Sequence, residues 1–305
     1  MFRFEMPFPV TTAEGEELLP SWTPMGEDVF DDLARRGRRS PSPRVPFLGY
    51  GSIRKDLGLL LAEGSYRVIF DTADRTSSVL ALMEKVSLPV PVLDGIGRFA
   101  ALDPYTYRHA LAVFALSTLL SRELAAEGER IDGAEGGPLH DFGKVAVPLE
   151  VLRKKTPLTW TERELLNYHT FAGAALLAYH CGDTGDAVRV ALEHHERRDG
   201  SGYLRGIPLA SSLVEVVAVC DVYDALVAPR PYRPVAFDNR SAIEEITAMA
   251  GEGKFGMDAV RALVAVNRRG RKNPGEVTVS LEMRGAPPPG NLYGRIVADR
   301  EEGKE

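Results

Sequence analysis

The sequence predicts a mainly α-helical fold, and three observations support this prediction. Apolar residues recur at intervals of three and four positions through most of residues 99–268, which is the spacing of one face of a helix. Helix-start signals occur among them, notably Pro148 and the run from Thr159 to Glu162, which has the pattern of a capping box. Strand-like runs are few and short, at residues 66–70 and 277–281. Residues 99–268 therefore leave little room for a sheet.

The predicted helices divide the chain into three regions. Residues 1–98 form a small, mostly helical N-terminal region, residues 99–268 form an all-helical domain, and residues 269–305 form a polar C-terminal tail. A basic, proline-broken run at residues 36–44 predicts a loop. No catalytic motif occurs in residues 1–98, so that region is either a sensory or docking module or a structural cap. The helices are predicted at residues 27–35, 53–62, 77–86, 105–126, 148–154, 159–180, 186–196, 211–227, 241–250 and 258–267.

Composition and charge limit the classes of protein to which this chain could belong. Its 305 residues are 44% hydrophobic and 26% charged, as in ordinary soluble globular proteins. The net charge of −6 argues against a protein that binds nucleic acid polymers. Cys181 and Cys220 form neither a metal-binding pair nor a disulfide framework. The first residues lack the pattern of a signal peptide, and no run approaches the ~20 apolar residues of a membrane span. We therefore expect a cytoplasmic protein with no membrane partner.

All six histidines lie between residues 109 and 195, a narrower distribution than composition alone predicts. A single histidine is usually a surface or core residue, so the neighbours of each one matter. His140 and Asp141 are adjacent, and imidazole with carboxylate suits a divalent iron, manganese or zinc ion. His194 and His195 differ by ~100° in direction on a helix, so they suit two neighbouring metals better than one. Lys144 lies one helical turn after Asp141, where it could place a positive charge beside a phosphate.

Two aspartates interrupt the apolar helix predicted at residues 211–227. Asp221 and Asp224 are surrounded in the sequence by valine, alanine and leucine. A carboxylate in such a helix is costly to bury unless it is paired or bound to a metal. We therefore interpret Asp221 as a metal ligand and Asp224, one turn later, as its support. Cys220 is expected only to pack in the core.

Three strings in the sequence have the form of motifs from one known family. They are HDFGKVAVP, HHERRDGSGYL and DVYDALVAPRPYRP, and His109 and His169 stand at two further matching positions. Together they resemble the HD-GYP family, whose members are metal-dependent cyclic di-GMP phosphodiesterases of the HD superfamily. The similarity covers about residues 99–265, with five motifs in the family's order. It implies the all-helical HD fold and hydrolysis of cyclic di-GMP to linear pGpG, with GMP as a further product left open.

The resemblance also implies a set of site residues. The positions that match metal ligands are His109, His140, Asp141, His169, His194, His195 and Asp221. The positions that match phosphate-binding residues are Lys144, Tyr203, Arg230 and Arg233, and Asp141 and Lys144 are the implied catalytic pair. Guanidinium groups suit phosphate oxygens, which agrees with the two arginines. His180 matches no ligand position and is expected to be an ordinary surface residue.

The implied cofactor is a pair of divalent metal ions. Iron or manganese is favoured over zinc, because the site mixes histidine with carboxylate and offers no thiolate. Some family members use a glutamate one turn before the first histidine to bind a third ion, but this chain has Tyr105 there. Leu204 replaces the proline of the GYP tripeptide, which removes a backbone constraint from the loop after Tyr203.

The sequence leaves three functions open. The leading hypothesis is a cyclic di-GMP phosphodiesterase in bacterial second-messenger signalling, and the complete set of ligands with Lys144 favours an enzyme over a receptor. An HD phosphohydrolase acting on another cyclic dinucleotide or on a nucleotide would use the same metal chemistry. A non-catalytic receptor would bind a cyclic dinucleotide and signal through residues 1–98. The same residues could also form a homodimer contact or bind a signalling protein.

Overall fold

Thirteen α-helices account for most of the described chain, which in this computed structural model comprises residues 5–125, 134–229, 235–268 and 273–288. Their order confirms the mainly α-helical prediction. The helices are α1 (Glu27–Gly37), α2 (Ile53–Leu61), α3 (Tyr66–Ile69), α4 (Ala73–Met83), α5 (Val90–Leu102), α6 (Pro104–Leu124), α7 (Leu149–Leu152), α8 (Trp160–Asn167), α9 (His169–Cys181), α10 (Asp186–Glu193), α11 (Ser212–Val227), α12 (Asn239–Gly251) and α13 (Met257–Asn267).

Three small antiparallel sheets accompany the N-terminal helices, and the sequence did not predict them. Each has two strands of two or three residues. The strands pair as β1 (Glu5–Met6) with β4 (Thr23–Pro24), β2 (Val10–Thr11) with β3 (Glu17–Leu19), and β5 (Arg44–Pro46) with β6 (Ser87–Pro89). Runs this short carry too few residues for a period of two to be recognised. Residues 38–43 form the loop predicted within residues 36–44.

Both strands predicted from the sequence are wrong. Residues 66–70 contain helix α3, because Tyr66 and Ile69 are buried while Arg67 and Val68 are exposed, which is a helical spacing of three. Residues 277–281 are extended but pair with no strand among the described residues. An apolar run of five residues fits either structure, and only the tertiary neighbours decide between them.

The helix predicted at residues 159–180 is two helices. The capping box is present as predicted: Thr159 Oγ1 accepts from the Glu162 amide at 3.2 Å, and Glu162 Oε2 accepts from the Thr159 amide at 2.7 Å. Helix α8 ends at Asn167, and α9 begins at His169. His169 therefore lies at the start of a helix rather than in the middle of one, which directs its ring towards neighbouring elements.

Helix α6 occupies the centre of the molecule, and most of its residues from 106 to 120 are buried. It packs against α11 and α13 on the C-terminal side of the chain and against α2, α4 and α5 on the N-terminal side. The buried core is continuous through both sets of helices. Helix α5 runs across the predicted boundary between residues 98 and 99. The division into three regions stays a prediction, but residues 53–98 share a core with the helices that follow.

None of the helices in the described ranges combines the length and apolar composition that a membrane crossing requires.

Candidate metal centre

Seven side chains predicted as metal ligands converge at one place, although they come from five parts of the chain. The second turn of α6 provides His109, the turn after residue 139 provides His140 and Asp141, and α11 provides Asp221. The start of α9 provides His169. His194 and His195 lie in the turn directly after α10, because that helix ends at Glu193 and not at residue 196 as predicted. All are buried except His195, whose side chain is 19% exposed.

The Asp141 carboxylate lies between two groups of possible metal ligands. Its Oδ2 atom is 3.5 Å from Nε2 of both His109 and His140, and these three residues form the first group. Its Oδ1 atom is 3.2 Å from Nε2 of His169 and 3.8 Å from Nε2 of His194. Those two histidines, with His195 and Asp141, form the second group. One carboxylate therefore offers an oxygen to each of two adjacent sites.

Asp221 also reaches both groups. Its Oδ1 atom lies 3.1 Å from Nε2 of His109, and its Oδ2 atom lies 4.0 Å from Nδ1 of His195. Because a helix places Asp221 opposite Asp141, the two carboxylates approach the histidines from different elements. The arrangement supplies two negative charges to a site whose other donors are imidazoles.

Three of the histidines are oriented by the same local hydrogen bond. Nδ1 of His140 lies 2.8 Å from the carbonyl oxygen of Gly137, and Nδ1 of His169 lies 2.6 Å from that of Leu166. Nδ1 of His194 lies 3.1 Å from the carbonyl oxygen of Ala191. In each case the acceptor is three residues earlier. We assign the proton to Nδ1, which leaves Nε2 with the lone pair that a metal needs.

The fourth ring, His109, has a carboxylate in place of the carbonyl. Its Nδ1 atom is 2.6 Å from Oδ2 of Asp224, and Asp224 is 1% exposed. The sequence analysis placed Asp224 beside Asp221 as its support, whereas the structure places it behind His109. One helical turn separates the two aspartates, so they face opposite sides of the same ring.

The protonation states of these groups agree with a metal site. Burial raises the pKa of Asp141, but Lys144, His140 and His169 outweigh burial and hold that pKa well below the ordinary range. Burial also raises the pKa of Asp221, but His109, His195 and His140 outweigh it and hold that pKa well below the ordinary range. Burial lowers the pKa of His140, His194 and His195. The carboxylates are therefore ionised and these three imidazoles neutral at neutral pH, which are the forms that bind metal.

His109 differs from the other rings in its charge. Burial lowers its pKa, but the carboxylates of Asp224 and Asp221 outweigh burial and raise the pKa to about 9. The carboxylates on both sides of the ring therefore stabilise its protonated form, and the same two negative charges would attract a cation bound beside it.

Two glycines allow the metal-ligand elements to approach each other. A Cβ atom on Gly143 would lie 1.8 Å from the carbonyl oxygen of His169 and 2.4 Å from the amide of Gly173. The 3₁₀ turn that follows Asp141 therefore rests directly on the first turn of α9. Only glycine permits this contact, which brings Asp141 within reach of His169.

A family model described as "HD domain" matches residues 101–259, which contain every residue of this cluster. The chain belongs to the HD domain family. Its motifs are those of the HD-GYP type. The histidine and aspartate cluster of this HD domain is of the kind that holds divalent metal ions.

Three curated relatives of the HD domain protein carry names that describe an activity. A cyclic di-GMP phosphodiesterase of Pseudomonas aeruginosa is 36% identical over 225 residues, which are 70% of this chain and 53% of the relative. A cyclic di-GMP phosphodiesterase of Thermotoga maritima is 35% identical over 158 residues, 49% of this chain and 42% of the relative. A 3′3′-cGAMP-specific phosphodiesterase of Vibrio cholerae is 34% identical over 149 residues, 48% of this chain and 32% of the relative. The HD domain protein thus spans about half or less of each relative.

Two of the predicted phosphate-binding residues lie beside the cluster. Lys144 Nζ contacts Asp141 Oδ2, and its side chain is 17% exposed. The ring of Tyr203 stacks on that of His195, with centroids 4.4 Å apart. Arg230 and Arg233 lie outside the described residues. His180 is partly buried at the end of α9, outside both ligand groups.

The two departures from the family pattern occupy distinct places in this HD domain. Tyr105 stacks on His109, with ring centroids 6.0 Å apart, so an aromatic ring covers that side of the cluster. Leu204 packs against the core within the loop after His195. A cavity of about 490 Å³ opens beside Tyr105 and His109 and extends to Pro229, the last described residue before Arg230.

One residue that shapes the site was missed by the sequence analysis. Glu196, which follows the paired histidines, is 1% exposed and accepts hydrogen bonds from the backbone amides of Arg205 at 2.8 Å and Ile207 at 3.2 Å. It therefore holds the loop that carries Tyr203. Nothing in the sequence indicated that its partners are backbone amides nine and eleven residues later.

Proposed function

We propose that this HD domain protein is a metal-dependent phosphodiesterase that hydrolyses cyclic di-GMP to the linear dinucleotide pGpG. The observation that carries the proposal is the Asp141 carboxylate shared between two groups of ligands. The names of the relatives from Pseudomonas aeruginosa and Thermotoga maritima support cyclic di-GMP as the substrate. The proposal assigns the reaction to the HD domain, whose core is shared with the helices of residues 53–98.

The cluster has the donors for two divalent ions. The first ion would be held by His109, His140 and Asp141, and the second by Asp141, His169, His194 and His195, with Asp221 beside both. Bound there, divalent ions supply Lewis-acid activation of a water molecule and of a phosphoryl oxygen. Iron or manganese suits this mixture of imidazole and carboxylate. Tyr105 provides no carboxylate for a third ion.

The remaining site residues act on the substrate phosphate. The ammonium group of Lys144 lies beside the cluster, in contact with the Asp141 carboxylate. From there it would neutralise charge that develops on a phosphoryl oxygen of a substrate bound at the cluster. Tyr203, whose ring stacks on that of His195, would contact the substrate next to that histidine. Arg230 and Arg233 belong to the same proposal by their sequence positions. The cavity beside His109, which Pro229 also lines, offers room for part of the nucleotide.

Replacement of Lys144 tests its role separately from metal binding. Lys144→Ala is expected to lower kcat for cyclic di-GMP by about 10²- to 10³-fold, since it removes a charge that stabilises the transition state. The bound metal, measured by elemental analysis, should stay at the wild-type level. Lys154→Ala is the matched control, because Lys154 pairs with Glu162 on α8 and contacts no cluster residue among those described. Loss of metal in Lys144→Ala would show that the lysine organises the ligands instead.

A second candidate function is hydrolysis of 3′3′-cGAMP, because three relatives with that printed activity match at 33–35% identity. The deciding experiment incubates metal-replete protein with cyclic di-GMP, 3′3′-cGAMP and cyclic di-AMP, and separates the products by chromatography. Fastest turnover of cyclic di-GMP to pGpG supports the first proposal, and preference for 3′3′-cGAMP supports the second. Tight binding of a cyclic dinucleotide with no product in iron or manganese would contradict both and indicate a receptor.

A further inference from the structure

A tyrosine outside the matched HD domain contacts the metal centre through one carboxylate. Tyr66 lies on α3, well before residue 101, where the family match begins. Its hydroxyl donates a hydrogen bond to Oδ1 of Asp224. The other oxygen of Asp224 is 2.6 Å from Nδ1 of His109. The three side chains form a chain of hydrogen bonds, Tyr66 to Asp224 to His109, that ends at a metal-ligand ring.

The side chains of this hydrogen-bond chain are almost fully buried, although all three line the cavity beside His109. Tyr66, Asp224 and His109 are 6%, 1% and 3% exposed. A buried carboxylate is stable only where donors satisfy its oxygens, and Asp224 has one donor on each side. Removal of the Tyr66 hydroxyl would take away the donor that Oδ1 of Asp224 has on that side.

A buried arginine connects α3, the helix that carries Tyr66, to α13. Arg75, on α4, is 3% exposed, and its guanidinium donates to the carbonyl oxygen of Ile69 at the end of α3. The same Nη1 atom is 3.2 Å from the carbonyl oxygen of Val266 on α13. Arg75 thereby joins α3 to α13, a helix that begins within the matched HD domain. This contact helps to hold α3, which carries Tyr66, against the C-terminal helices.

The physical effect of the contact is on the orientation of His109. A ligand histidine binds well when a hydrogen bond to its other nitrogen fixes the tautomer and the plane of the ring. Asp224 makes that bond, but a carboxylate held only at one oxygen can rotate about its χ2 torsion. Tyr66 holds the second oxygen and so restricts this rotation. The other three oriented rings need no such help, because their acceptors are backbone carbonyls.

We propose that Tyr66 is a positioning residue for the metal ligand His109, so that the N-terminal region completes the metal centre of the HD domain. The proposal rests on the part of the proposed function that assigns a divalent ion to His109. It is independent of which cyclic dinucleotide is cleaved. It gives residues 1–98 a specific task that a merely structural cap would not have.

Metal titration of the full-length protein tests this proposal without any substrate. The protein is stripped with a chelator and titrated with Mn²⁺ in a calorimeter. Tyr66→Phe is expected to weaken the binding of one Mn²⁺ ion by about 10- to 100-fold, the usual effect of losing a residue that orients a ligand. Helical circular dichroism should match that of the wild type.

The matched control is Tyr107→Phe. Tyr107 is also a nearly buried tyrosine whose hydroxyl donates to a carboxylate, Oδ2 of Asp56 at 2.8 Å, across the contact between α6 and α2. It lies two residues from His109 but contacts no ligand. Its Mn²⁺ affinity should stay within about twofold of wild type. An equal loss in both variants would overturn the proposal, because it would indicate general loosening between the two regions.

A double variant identifies the route of the effect. Asp224→Asn should weaken the same ion, and Tyr66→Phe should then add less than about twofold in that background, since residues of one hydrogen-bonded chain are not additive. Full additivity, or wild-type affinity in Tyr66→Phe alone, would overturn the proposal. Protein that binds Mn²⁺ as expected but cleaves no cyclic dinucleotide would contradict the proposed function and leave the role of Tyr66 intact.

Discussion

Replacement of Asp141 by asparagine is expected to abolish hydrolysis and to reduce the bound metal below one ion per chain. Asp141 belongs to both ligand groups, with Oδ2 facing His109 and His140 and Oδ1 facing His169 and His194. An asparagine keeps the shape but presents one oxygen, one amide group and no charge. Both sites then lose a donor at once, whereas loss of any single histidine removes a donor from only one of them.

The expected decrease in turnover is more than about 10³-fold, or about 4 kcal/mol in the activation barrier. Turnover is measured with cyclic di-GMP and metal content by elemental analysis of protein purified without oxygen. Asp238→Asn is a suitable control, because Asp238 caps α12 through the amides of Arg240 and Ser241, and asparagine caps a helix about equally well. Wild-type turnover in Asp141→Asn would show that the reaction does not depend on a shared carboxylate.

Much of the site could be predicted because the chemistry of its residues is visible in the sequence. The pairs His140–Asp141 and His194–His195 belong to a cluster that contains all six histidines of the chain, and Asp221 is conspicuous in an apolar helix. The structure brings all seven proposed ligands together. What the sequence could not indicate is which oxygen of Asp141 faces which histidine, since that depends on how the turn after residue 139 rests on α9.

Residues that orient the ligands were harder to predict than the ligands. Asp224 was expected to support Asp221, because the two are one turn apart on the same helix. It contacts His109 instead, which comes from an element more than a hundred residues earlier. Tyr66 was interpreted as part of a strand, so its contact with Asp224 could not be anticipated. Local sequence indicates which residue types are available, but partners across the core follow only from the packing of α3, α6 and α11.

The helices, too, were predicted where the apolar spacing along the chain is clear and missed where a contact across the fold decides. The long helices α6 and α11 begin and end within two residues of their predicted bounds, because their apolar spacing extends over many turns. Helix α5 was missed: its sequence, VPVLDGIGRFAAL, contains two glycines and a proline that weaken the helical pattern. One of those glycines, Gly95, packs against the ring of Phe142, beside the metal-ligand turn. Glycine lowers the helix propensity of this segment, but at position 95 it leaves the room that the ring of Phe142 needs.

Replacement of Gly143 by alanine is expected to disrupt the metal centre without changing any ligand. The added methyl group would lie 1.8 Å from the carbonyl oxygen of His169, and backbone atoms on both sides leave it no room. The turn after Asp141 must then move away from α9, which separates Asp141 from His169. We expect loss of the Mn²⁺ site that contains His169 and a decrease in turnover of at least about 10²-fold, because a displacement near 1 Å has effects of that size.

The matched control for Gly143→Ala is Gly58→Ala on α2. Gly58 has no atom within 4 Å of the position where a Cβ would stand, so alanine should be tolerated there. It should raise the free energy of unfolding by up to about 1 kcal/mol, because alanine has the higher helix propensity. Denaturant unfolding and Mn²⁺ titration of the two variants separate a general effect of the added methyl group from the specific contact at α9. If Gly143→Ala binds two Mn²⁺ ions with wild-type affinity, the close approach of the turn to α9 is not what holds Asp141 between its two groups of histidines.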